Sequence, residues 1–139
     1  MRAATINAGM FTSDADDWTT PDDFFAMLDA EFGFTLDPCC YPHTAKCARF
    51  FTKEDDGLRQ EWCGAVFVNP PYGRVIGQWV KKAYEAAQTT ADVVVMLIPA
   101  RTCSRYWHDY CMKAAEIRFV KGRLRFGGNG KNDNAPFPN

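Results

Sequence analysis

No stretch of this sequence is both apolar enough and long enough to cross a bilayer. The longest run without a charge or strong polar group in its C-terminal half, Val93 to Ala100, has eight residues, whereas a spanning helix needs about 20. The opening residues, MRAATINAGMF, lack the continuous apolar segment of a signal peptide, so a cytoplasmic protein is expected. Histidine is scarce. His43 and His108 are the two in the chain, and neither sits in a pattern with a nucleophile or carboxylate that would suggest catalysis. Six cysteines are present, but none form a C-x2-C pair. Cys39, Cys40, His43, Cys47 and Cys63 bring together enough soft ligands for zinc. Adjacent Cys39 and Cys40 nevertheless depart from knuckle spacing, so unpaired thiols and no metal are expected.

What is present is an ordinary globular composition. The 139 residues are 47% hydrophobic and 24% charged, which suits one compact domain with a sheet of about five to seven strands. The net charge of −1 conceals an asymmetry. Residues 1–31 hold seven acids against one base, and residues 101–131 hold eight bases against two acids. The basic third could meet a polyanion. Taken alone, it reads as a solvated face.

Residues 1–17 have no periodicity and are expected to form a flexible arm. Thr20 suits a helix N-cap, with Pro21 at the first helical position and Asp22 and Asp23 against the helix dipole. Phe24, Phe25, Leu28 and Phe32 then share one helical face, and Gly33 supplies a stop. Short strands are predicted at 34–36, 48–52 and 65–68, the first closed by Pro38 and the third by Asn69-Pro70-Pro71. A helix is predicted over 75–88. Residues 92–98, apolar without alternation, read as a central parallel strand covered on both faces. A helix at 104–114, a strand at 117–120 and a turn with an edge strand at 122–126 follow. The Gly/Asn/Pro-rich tail reads as irregular.

Strands alternating with helices predict a three-layer α/β domain with a mostly parallel sheet. Ligands in such sheets bind beyond the carboxyl ends of the strands. Those ends carry Asp37-Pro38, Asn69-Pro70-Pro71-Tyr72 and Pro99-Ala100-Arg101-Thr102. In Asn69-Pro70-Pro71-Tyr72 the prolines fix the backbone and withhold their N–H groups. The Asn69 amide oxygen and the Pro70 carbonyl can then face the cleft as paired acceptors, matching the two donors of an exocyclic amine. Such bonds would favour positive charge building up on that nitrogen as it attacks. Tyr72 offers a face for a planar base. The bland alternative is a proline-rich turn, but its placement after Ala65-Val66-Phe67-Val68 argues against it.

Asn-Pro-Pro-Tyr after a strand resembles the catalytic motif of S-adenosylmethionine-dependent N6-adenine DNA methyltransferases. More closely, the chain resembles the small Dam-like enzymes of phages and prophages. The resemblance spans residues 18–139. It rests on W-T-T-P (18–21), E-F-G-F-T-L-D (31–37), A-K-C-A-R-F-F-T (45–52), D-G-L (56–58), V-F-V-N-P-P-Y-G (66–73), L-I-P-A-R-T (97–102), I-R-F-V-K-G-R-L-R-F (117–126) and A-P-F-P (135–138), in that order. It implies a Rossmann-like class I methyltransferase sandwich over 18–139 that methylates adenine N6 in double-stranded DNA, the target base flipped into the pocket.

By the same resemblance, Thr20 and Pro21 lie near the methionine part of the cofactor. Asp37, Pro38 and Cys39 belong to the first cofactor motif. Asp56, Gly57 and Leu58, followed by Trp62, meet the cofactor adenine, with Glu54 and Asp55 as nearby substitutes for gripping ribose hydroxyls. Asn69, Pro70, Pro71 and Tyr72 form the catalytic motif. From the residues themselves, Arg101, Arg105, Lys121, Arg123 and Arg125 are candidate phosphate contacts or solvated charges, with the strand-end place of Arg101 favouring a contact; Phe126 and Phe137 could help hold a flipped base, though apolar packing is the favoured reading of both. No Pro-Cys pair is placed for the covalent attack that cytosine C5 methylation needs.

The chain departs from the family in two ways. Cys40-Tyr41-Pro42 stands where a glycine-rich turn is usual. Family members also continue past A-P-F-P with another strand, so a truncated or naturally short form is implied. GATC is a target by resemblance only. RNA adenine, a protein glutamine amide, or a non-catalytic zinc-containing nucleic-acid-binding module remain alternatives at this point.

Overall fold

The structure, a computed structural model, describes residues 19–126 and 133–134, with backbone alone for Phe126, Asp133 and Asn134. The expected arm at 1–17, Phe137 and most of the tail lie outside the described residues. Four parallel strands form the main sheet in the order β2-β1-β3-β4: β1 (Leu36–Asp37), β2 (Arg49–Phe50), β3 (Gly64–Val68) and β4 (Ala91–Met96). The helices are α1 (Asp22–Phe32), α2 (Ile76–Thr89) and α3 (Arg105–Asp109). A separate antiparallel pair joins β5 (Arg125–Phe126) to β6 (Asp133–Asn134).

Strand alternation divides the core in two. Val66, Val68, Val94, Met96 and Ile98 pack on one side with α2 residues Ile76, Trp79, Val80 and Ala83 and with Trp107 of α3. Phe67, Val95 and Leu97 pack on the other with Leu28, Phe24 and Phe25 of α1. The helices therefore cover both faces of the sheet, as the unbroken apolar run of β4 anticipates. Among the described residues, β4 nevertheless ends the strand order instead of lying centrally, and β3 has neighbours on both sides. An unbroken apolar run reports cover above and below a strand and is silent about its lateral neighbours.

Other boundaries shift for local reasons. α1 begins at Asp22, and Pro21 takes the cap position without a side-chain cap bond. The hydroxyl of Thr20, expected to cap it, accepts from Asn69 instead. Gly33 stops α1 as predicted, with φ of 63° and its N–H on Asp29 O at 2.8 Å. The helix predicted over 104–114 is α3 followed by a separate 3-10 turn, Cys111–Lys113.

Residues 117–120 are not a strand. Arg118 there makes two 2.6 Å bonds to the carboxylate of Glu31 on α1 and pairs with Glu116. Its guanidinium also lies over the Phe32 ring. These contacts fasten the segment to α1 instead of aligning it along a sheet edge.

Candidate active site

β1 sends the chain to β2 on one side, and β3 sends it to β4 on the other. A crevice opens where neighbouring strands diverge in this way. It holds a cavity of about 480 Å³, within the range of small-molecule sites. One wall is the segment after β1, another is Asp56-Gly57, and a third is Asn69-Pro70-Pro71-Tyr72; Thr20 and Trp79 complete it.

Asn69 stands directly after β3, whose last residue Val68 is fully buried. The ladder continues past β4 through Leu97 N–H to Val68 O at 2.8 Å, so the strand end is rigidly held. Pro70 is buried and has no N–H to leave unsatisfied there. The Asn69 amide nitrogen donates to Thr20 Oγ1 at 3.2 Å. The Tyr72 hydroxyl donates to Asn69 Oδ1 at 2.6 Å. The Tyr72 side chain packs against both halves of the core. The amide is thus oriented with its nitrogen toward Thr20 and its oxygen toward Tyr72.

Asp37 ends β1 and is 3% exposed. It accepts from the backbone N–H of Cys39 at 3.3 Å and of Lys46 at 3.0 Å. Burial pushes its carboxyl up to about 6 although these bonds oppose the shift. The segment that lacks a glycine-rich turn is therefore organised around a carboxylate. Thr44 Oγ1 adds a bond from Tyr41 N–H at 3.0 Å, and Cys40 N–H reaches Phe51 O at 3.3 Å.

Burial pushes the Cys39 and Cys47 thiols up to about 12 and raises Cys40 further. They are poor thiolate nucleophiles. Among the described residues, no three His, Cys, Asp or Glu side chains are grouped to hold a metal ion.

Asp56 takes a left-handed φ of 54° and leads into the 3-10 turn Gly57–Arg59. A Cβ on Gly57 would fall 2.1 Å from Pro38 O and 3.2 Å from the Trp79 ring. Glycine is what allows the turn to close on the β1 loop. Trp62 Nε1 donates to Gly57 O at 2.8 Å. Trp62 and Leu58 pack in the core and do not line the cavity. Asp55 is engaged with Thr52, taking its N–H at 2.8 Å and its hydroxyl at 3.0 Å. Pro21 is likewise outside the cavity wall.

The basic residues Arg101, Arg105, Lys121, Arg123 and Arg125 are all exposed and none lines the cavity. Arg105 lies 3.9 Å from Asp109 across one helical turn. Arg101 follows β4 on the edge that carries the crevice.

The family described as DNA N-6-adenine-methyltransferase (Dam) matches residues 8–137. The chain belongs to this family. It is also 42% identical over 65 residues to a protein named "Putative methyltransferase YfdM" of Escherichia coli strain K12. That match covers 41% of this chain and 71% of the relative. No solved structure matches the chain.

Ten residues singled out in this Dam-family sequence meet at the cavity: Thr20, Asp37, Pro38, Cys39, Asp56, Gly57, Asn69, Pro70, Pro71 and Tyr72. Lys46 and Trp79 also line it and were missed. Lys46 sits in the A-K-C-A-R-F-F-T block without a role readable from spacing. Trp79 reads as a core residue of an amphipathic helix, and only tertiary packing reveals that its far edge meets the cavity. Among the described residues, no helix is long and apolar enough to cross a membrane.

Proposed function

We propose that this chain methylates adenine N6 in double-stranded DNA with S-adenosylmethionine as methyl donor, on a Rossmann-like catalytic domain spanning residues 18–139. The observation that carries the reading is the Asn69 amide at the rim of the crevice. It is held at both ends and followed by a rigid Pro-Pro-Tyr turn, in a chain of the Dam family.

The cavity fits the cofactor on its own chemistry. Asp37 offers a buried carboxylate suited to a cationic ligand, Trp79 an apolar surface and Asp56 an acid at the rim. Bound there, S-adenosylmethionine supplies a methyl group on a sulfonium with a good leaving group. Asp37, Pro38, Cys39, Asp56 and Gly57 would hold it.

The residues of the chain do the rest by positioning. Arg101, Arg105, Lys121, Arg123 and Arg125 meet phosphates. The target adenine leaves the stack at a cost of a few kcal/mol. Its amine displaces the Tyr72 hydroxyl from Asn69 Oδ1 and donates to that oxygen and to the Pro70 carbonyl. Tyr72, released, lays its ring on the base. The two acceptors favour the charge that develops on nitrogen as its lone pair takes the methyl group; the C–S bond breaks with its electron pair going to sulfur, the methylated amine gives its surplus proton to solvent, and no covalent enzyme intermediate is required. The high-lying thiols near Asp37 disfavour a cysteine-centred route.

Asn69→Ala tests this reading. Its affinity for S-adenosylmethionine, read by calorimetry, is expected to stay within about twofold of wild type, while turnover falls by about a hundredfold or more. Turnover at the wild-type rate in Asn69→Ala would remove the proposed role.

A further inference from the structure

Thr20 and Asp37 are the polar side chains that the described fold buries most completely, each at 3% exposure. Asp37 is explained by the loop it organises. Thr20 is not explained by the helix it precedes, because α1 takes no side-chain cap from it. Its hydroxyl oxygen instead accepts from the Asn69 amide nitrogen at 3.2 Å, across 49 residues of sequence. The backbone at Thr20 is fixed on both sides. Thr19 makes a β-bridge, and Pro21 O receives the N–H of Phe25 at 2.9 Å.

An asparagine amide has two ends of opposite chemistry and a soft terminal torsion. With the oxygen toward the cleft it accepts from an exocyclic amine. Turned over, it sets donors against donors. Tyr72 supports the first orientation in the free protein, but an incoming amine must take the oxygen that Tyr72 holds. The Thr20 contact lies at the other end of the amide and survives that exchange.

We propose that Thr20 is the positioning residue that locks the Asn69 amide with its oxygen toward the substrate amine. This rests on the methyltransferase reading above, and it differs from a contact with the methionine part of the cofactor. A residue that fixes a reacting geometry affects turnover far more than cofactor affinity.

The test uses the full chain with Thr20→Val, which keeps the shape and removes the hydroxyl, and Thr20→Ser, which keeps the hydroxyl. In Thr20→Val, kcat on duplex DNA is expected to fall by about ten- to a hundredfold. The calorimetric Kd for S-adenosylmethionine should hold within about twofold. Thr20→Ser should recover most of the turnover. In ¹⁵N spectra, the Asn69 side-chain amide pair, identified by its loss in Asn69→Asp, should shift in Thr20→Val and return in Thr20→Ser. If Thr20→Val does not fold, Thr20→Ala reads the same losses.

Wild-type kcat in the hydroxyl-free variant would overturn the proposal. So would a Kd weakened in proportion to the lost activity, which would make Thr20 a cofactor contact. If the wild-type chain yields no N6-methyladenine at all, the methyltransferase reading fails by itself. The Asn69 amide signals then still decide the Thr20 contact: unmoved signals overturn it and shifted signals sustain it.

Discussion

The Tyr72 hydroxyl bonds to Asn69 Oδ1, the oxygen that the proposed reaction gives to the substrate amine, so the proposal assigns this side chain two separable duties. Tyr72→Phe removes the competing hydroxyl and keeps the ring. It is expected to retain turnover within about threefold of wild type. Tyr72→Ala removes the stacking face, worth about 1–3 kcal/mol per base, and should raise KM for DNA by about tenfold or more. Steady-state kinetics on one duplex compares them, and equal losses in both variants would show that the hydroxyl itself matters.

Asp37 carries a pH signature of its own. Its carboxyl is raised by burial to about 6 in the fold, against about 3.9 in an unfolded chain. Below the unfolded value both states are protonated and the group has no effect. As pH rises from about 4 to about 6 the unfolded chain ionises first, so stability falls by about 3 kcal/mol and then levels off. Affinity for a cationic ligand runs the opposite way, rising over the same window as the carboxylate forms. Urea unfolding and calorimetry across pH 4–7 check both, and Asp37→Asn should flatten both curves. The acid at the strand end was legible in the sequence. Its second task, holding two backbone N–H groups where a glycine-rich turn is usual, depends on a loop path that no spacing rule encodes.

At the scale of elements, the Gly57–Pro38 approach joins the 3-10 turn to the β1 loop and closes one side of the cavity. Gly57→Ala forces a carbon to within 2.1 Å of a backbone oxygen, which side-chain rotation cannot relieve. A loss of about 1–3 kcal/mol in urea unfolding is expected, together with weaker cofactor binding. Unchanged stability would mean that the turn can part from the loop at little cost.

Elements with strong local signals were readable from the residues: α1 with its Gly33 stop, α2 with its apolar stripe, and β3 cut off by proline. Those decided by distant partners were not. Residues 117–120 look like a strand, yet Arg118 ties them to Glu31. β4 looks central, yet ends the sheet order among the described residues. Thr20 looks like a cap, yet faces Asn69. The convergence of the strand-end motifs on one cavity was readable because the sheet brings those ends together, whereas Lys46 and Trp79 reach that cavity through tertiary packing alone.

At the scale of the whole molecule, the proposed function divides the work, giving the methyl donor to the cavity and the polyanion to the exposed bases of residues 101–125. Charge reversal at the basic segment should therefore leave the cavity untouched. In Lys121→Glu with Arg123→Glu, duplex affinity is expected to fall and its salt dependence to flatten by about two phosphate contacts. Calorimetric binding of S-adenosylmethionine should stay as in wild type. A salt slope equal to wild type would show that phosphates are met elsewhere.

The most direct measurement is transfer of a labelled methyl group from S-adenosylmethionine to unmethylated duplex DNA, followed by mass spectrometry of the nucleosides. Label recovered as N6-methyladenine is the expected result. Tight cofactor binding with no labelled nucleoside, or label found on cytosine, on RNA or on protein instead, would contradict DNA adenine methylation as the activity of this chain.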